Sequence, residues 1–154
     1  MTGIPKLTTK AACRVARIDR DRFNEHSAAE RFPCAPATIP GRSRLFDPDD
    51  MIALWLFREL MDDNLDASTA GKIACMVAAA ARENPEAVAI SYVQTRSGSA
   101  SAVASDRVPP PEEWQTARIR GSAIRKVTEF NIADTRELIA HYTEEERSII
   151  GEDD

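Results

Sequence analysis

Histidine is nearly missing from this chain: His26 and His141 are the only two among 154 residues. No GxSxG, HExxH or P-loop pattern is present, and the carboxylates gather at helix-cap positions and in the tail, so a catalytic site lacks its ingredients. The expectation is a protein that is not an enzyme and carries no cofactor. Cysteine is scarce as well. Cys13, Cys34 and Cys75 form an odd set without CxxC or Cys/His ligand spacing, which argues against a zinc module or other metal site and against a disulfide framework. Reduced thiols packed as small hydrophobes are expected instead. Long apolar runs are absent too: none approaches the roughly 18 residues a membrane helix needs. The first residues lack a signal peptide's apolar stretch and small-residue cleavage site, so the expected location is the cytoplasm, with no membrane partner.

What is present suits one compact domain or two small ones, with 43% hydrophobic and 29% charged residues. The formal net charge of −5 hides an uneven distribution. Residues 1–46 hold nine basic side chains (Lys6, Lys10, Arg14, Arg17, Arg20, Arg22, Arg31, Arg42, Arg44) against four acidic ones (Asp19, Asp21, Glu25, Glu30), a balance of +5 that leaves −10 for the rest. A basic head on an acidic body lets one face meet phosphates while the remainder avoids wrapping nucleic acid indiscriminately.

Local signals predict a helical first half. Thr8 and Thr9 are N-cap candidates for a short helix from Lys10 to Arg17, and Asp19 for a second from Arg20 to Glu30, anchored by Phe23. Residues 31–48 contain Pro33, Pro36, Pro40 and Pro48 with Gly41, which predicts a loop or small hairpin. Asp47 as N-cap, Pro48 at the first helical position, and Asp49 and Asp50 near the positive dipole end then start a third helix. Its body, Met51 to Met61, is apolar almost all round and should lie at the centre of the core. After Asp62, Asp63 and Asn64, either Asp66 or Ser68 opens an alanine-rich helix through Ala70, Ile73, Ala74, Val77 and Ala81.

Glu83, Asn84 and Pro85 mark a boundary between regions 1–84 and 85–154. Beyond it, Ala87 to Thr95 and Ala100 to Val108 read as a β-hairpin around a turn at 96–99. Pro109, Pro110 and Pro111 force an extended link. Ile124 to Asn131 then alternates like a strand, and Asn131 with Asp134 opens a last helix. The acidic tail from Glu144 to Asp154 is expected to fray in solvent. The predicted class is α+β.

The run Arg44-Leu45-Phe46-Asp47-Pro48-Asp49-Asp50-Met51 resembles the wing exit and following helix start of the MerR-type winged helix-turn-helix family, with register continuing through Leu54, Leu60 and Leu65 to Ile73. Upstream, Ala12, Ile18, Asp19, Phe23 and His26 fall near that family's small helix-1 residue, turn hydrophobe, N-cap, recognition-helix hydrophobe and aromatic. The likeness covers about residues 7–80. Arg17 stands where a turn glycine is usual, and Asn24 replaces an arginine. The long dimerising helix of the metal- and drug-sensing members is replaced by Pro85 and β structure, so the promoter-twisting mode is not carried over.

The resemblance implies a DNA-binding transcriptional regulator with double-stranded DNA as partner. Arg20, Arg22 and Asn24 occupy the start of the recognition helix, where side chains reach base edges in the major groove. Arg42 and Arg44 flank the wing, placed to meet the backbone or minor groove. Lys10, Arg14 and Arg17, spaced four and three apart on the first helix, would add sequence-independent affinity. A homodimer on paired half-sites is expected, built from the 85–154 region. Two other readings stay open: an adaptor whose C-terminal half takes a protein partner or small ligand, and an excisionase-like architectural DNA-binding protein.

Overall fold

A computed structural model of the chain describes residues 6–38, 40–42 and 44–150. The fold is α+β: five α-helices with two small antiparallel sheets. A strand β1, Leu7–Thr8, leads into α1, Thr9–Ala16, which starts where the Thr8 hydroxyl accepts the Ala11 N–H at 3.3 Å. α1 stops at Arg17, whose left-handed φ of 61° turns the chain so that the Ile18 N–H reaches the Cys13 carbonyl at 3.0 Å. α2, Arg20–Ala28, begins at Asp19, which accepts the Arg22 N–H at 3.0 Å. The same terminator recurs twice. Glu30 (φ 60°) follows α2 and Asn64 (φ 73°) follows the next helix, Pro48–Asp62, with Arg31 donating to His26 O at 2.8 Å and Leu65 to Leu60 O at 3.1 Å.

The segment 29–44 leads to β2, Leu45–Phe46, which pairs with β1 through Leu7↔Phe46 and Thr8↔Leu45. α3, Pro48–Asp62, opens as predicted. The Asp47 carboxylate accepts the Asp50 N–H at 2.8 Å while the Asp50 carboxylate accepts the Asp47 N–H at 2.9 Å, a reciprocal cap. Met51 to Phe57 are all buried, and α3 contacts α1 and two later helices, α4 (Ala67–Glu83) and α5 (Ile132–Ile150), so it is the central helix. Asp66, rather than Ser68, caps α4, Ala67–Glu83, accepting the Thr69 N–H at 3.1 Å.

The alanine stripe of α4 lets backbone come close. At Gly71 the approach is closest: a Cβ there would lie 1.8 Å from the Arg31 carbonyl oxygen, so only glycine fits against this loop. One helical turn on, Cys75 is joined to Cys34 by a disulfide, with Cα atoms 5.7 Å apart. This corrects the expectation of three reduced thiols. The partners are 41 residues apart in sequence, and only the return of the loop onto α4 brings them together. Cys13 alone is free and buried.

In the second half β3, Ala89–Thr95, pairs on one side with β4, Ala100–Ala104, and on the other with β5, Ile124–Asn131, both antiparallel. β4 is shorter than the predicted return to Val108, because Ser105–Arg107 turn into a 3-10 helix. Ile90, Tyr92 and Ala104 join one hydrophobic cluster with α1, α3 and α4, and Ile132 and Ile139 add α5 to it. α5, Ile132–Ile150, is opened by Asn131, whose Oδ1 accepts the Asp134 N–H at 3.0 Å. The tail was expected to fray from Glu144. The helix instead continues to Ile150, with Thr143 buried and Glu146 ion-paired to Arg14. Residues 151–154 of that tail lie outside the described residues.

Candidate nucleic-acid interface

α2 is a short helix with one buried anchor. Phe23 is its single buried side chain, edge-on to Phe32 and Phe46 with ring centres 5.5 and 5.8 Å away. With 100° between successive residues, that anchor decides where the others point. Arg20 and Asn24, one turn apart, share one exposed flank, beside Ser27; Arg22 is exposed on the other flank. The outermost crest between them carries Asp21 and Glu25. Arg20, Arg22 and Asn24 use no side-chain hydrogen bond or ion pair to any described residue. Their capacity to donate is therefore unspent.

The wing cations divide. Arg42 is exposed beside Gly41, which has φ 77°, a conformation favouring glycine. Arg44 is drawn in, donating from Nη1 to the Ser27 hydroxyl at 3.2 Å. It links the start of β2 to the Arg20/Asn24 flank of α2. Ser43, inside the predicted wing at 41–46, lies outside the described residues.

The cations of α1 are placed differently from the sequence-based expectation. Arg14 is ion-paired with Glu146 of α5, and the Arg17 guanidinium lies 4.3 Å from the centre of the Tyr142 ring. Tyr142 in turn stacks on Trp55 at 5.8 Å. Lys10 is engaged in an interaction of its own. Helix α5 thus occupies much of the α1 face that the 4 and 3 spacing put together, leaving it less charge to offer a polyanion.

On the Arg22 flank a cleft of about 540 Å³ is lined by Arg17, Ile18, Asp19, Arg22, His26, Arg58, Met61 and Asp62. Arg58 is the residue that sequence reasoning missed. It is the one cation in the apolar α3, and that isolation was a signal. Its Nε donates to Ala16 O at 3.0 Å and its Nη1 meets Asp62 at 2.9 Å, so it braces α1 against α3. His26 accepts a hydrogen bond at Nδ1 from Arg31 Nε at 2.9 Å and sits edge-on to Phe57. Burial, then the charges of Arg31 and Arg22, push its pKa below the ordinary value. The imidazole is held neutral, a structural acceptor.

No group of three or more His, Cys, Asp or Glu side chains able to hold a metal occurs among the described residues. No helix among the described residues is long and apolar enough to cross a membrane. Tyr92 is buried in the core, and Trp114 donates its indole N–H to Pro109 O at 2.9 Å. No protein-family model matches the chain, and no curated protein is significantly similar to it.

Proposed function

We propose that the chain is a sequence-specific DNA-binding transcriptional regulator of the MerR-type winged-helix kind, with α2 entering the major groove. The observation that carries this reading is the set Arg20, Arg22 and Asn24, exposed and unengaged on a short helix standing on a packed core. Asn can pair adenine and Arg can pair guanine at the edges presented there, and Asp21 or Glu25 on the crest can accept from cytosine. Arg42 supplies a backbone or minor-groove contact one loop away.

Three further features support the family reading. β1 pairs with β2 at the predicted wing exit, the reciprocal cap of Asp47 and Asp50 stands at the helix start, and Arg17 adopts the left-handed turn expected of a glycine. The same reading has two chains acting in the cytoplasm on paired half-sites. Arg14, Arg17 and Lys10 are assigned a minor share, since α5 holds the first two.

Mobility shifts of the full chain on duplexes selected from a random pool test the proposal. Arg22→Ala and Asn24→Ala should each weaken binding by about 1–3 kcal/mol and relax preference at one base position. Arg42→Ala should weaken all duplexes alike and lower the salt slope by about one. Three variants indistinguishable from the parent chain would sink the assignment.

A further inference from the structure

α2 buries only Phe23 from its own nine residues, and the remaining ties to the body are His26 edge-on to Phe57, Arg44 bonded to Ser27 and the buried Phe32 that follows the helix. Beyond its end the chain is bound to α4 in two adjacent places. The Arg31 carbonyl lies against Gly71, and the Cys34–Cys75 disulfide sits one α4 turn further along. No hydrogen bond from residues 33–38 reaches another element of the described fold. Cys34 and Ala35 pack part-buried against the core behind the buried Phe32, and among the described residues the covalent link is the one bond that ties 33–38 to α4; both cysteines are only partly covered.

We propose that the Cys34–Cys75 disulfide is a redox-controlled bolt on α2: closed, it preorganises the helix for duplex DNA, and opened by a thiol reductant it lets the helix loosen and binding weaken. This inference rests on the DNA-binding reading above. A fixed helix spends less ordering entropy on binding than a loose one, which is how the bond couples to affinity. In the cytoplasm assigned above, thiols are kept reduced, and disulfides that do form there are typically transient and sensing ones.

The chemistry needs two equivalents of a low-molecular-weight thiol or one dithiol. A reductant thiolate attacks one Sγ, forming a mixed disulfide and expelling the other cysteine as a thiolate. A second reductant thiolate attacks the reductant sulfur of that mixed disulfide and releases the remaining cysteine. The reductant leaves as its own disulfide, two electrons poorer, and its two thiol protons end on Cys34 and Cys75. Cys13 does not compete. It is buried in α1, and burial pushes its thiol pKa up to about 12, so it stays protonated and unreactive.

The test uses the full chain, oxidised or treated with dithiothreitol, with Cys34→Ser/Cys75→Ser as a second form. Hydrogen exchange reads α2 without any DNA, and anisotropy of a labelled random-sequence duplex reads affinity. On reduction, exchange should rise selectively across 20–34, and duplex affinity should fall on the order of tenfold. The double variant should behave as the reduced form and ignore dithiothreitol. Unchanged exchange across 20–34 overturns the bolt whether or not DNA binds. Raised exchange with equal affinity, or a dithiothreitol response that persists in the double variant, overturns its control of binding. If neither redox form binds duplex, the DNA-binding reading fails, and the control of affinity fails with it.

Discussion

Three helices of this chain end on residues that hold left-handed backbone without being glycine: Arg17, Glu30 and Asn64. Each sits where the turn needs positive φ, and each but asparagine carries a steric cost of about 1–2 kcal/mol there. Glu30 is exposed. Glu30→Gly should therefore stabilise the protein by about 1 kcal/mol, seen as a higher urea midpoint at unchanged slope. Arg17→Gly should gain less, because it also loses the contact with Tyr142. A midpoint for Glu30→Gly at or below that of the parent chain would contradict the argument. The same residues explain why helix starts were easier to read than helix ends. Thr8, Asp19, Asp47 and Asp66 are polar caps that announce themselves locally, whereas an arginine or glutamate in a terminator looks like any surface residue.

Among the elements, α3 shows how one position can serve two neighbours. The Asp47 carboxylate caps its own helix and also takes a two-pronged contact from Arg82 of α4, with Nη1 and Nη2 at 2.9 and 3.1 Å. Burial works against its ionised form, but these bonds outweigh it and hold its pKa below the usual carboxylate value. Asp47→Ala should cost about 2 kcal/mol, most of it from the cap, since the half-exposed Arg82 pair is screened by solvent. Asp47→Asn keeps a capping oxygen and should lose markedly less in the same denaturation experiment; equal losses would assign the effect to the ion pair. The pairing of elements was less legible than the elements themselves. That α5 would cover Arg14 and Arg17, and that Cys34 would find Cys75, depends on contacts more than 40 residues apart that no local pattern encodes. The exposed trio on α2 was legible because Asp19 and Phe23 together set both the start and the facing of that helix.

For the whole molecule, burial raises the Glu59 carboxyl pKa and so favours folding as pH falls, while the group that acts against folding just below neutrality is His26. Its folded pKa lies below the ordinary 6.5, so the unfolded chain takes up the proton at a higher pH than the folded one. This contribution to stability is complete above about 6.5 and is lost as pH falls through the folded pKa. Urea midpoints should decline between pH 7 and pH 5, and His26→Gln should flatten that decline; an unaltered slope in the variant would place the titration elsewhere. Asp47 acts in the same direction but in a lower window, starting near the usual carboxylate pKa of about 3.9, and its capping partner Asp50, whose pKa burial raises, acts against it.

Strand β5 closes the sheet at one edge, and its pairing with β3 is interrupted by a register shift between Gln94 and Thr95. Along it, Arg125, Lys126 and Glu129 stand exposed. A neighbouring chain meeting this border finds charge and a kink where a flat ladder of free amides would invite zipping, so crowding has little purchase for seeding cross-β fibrils here.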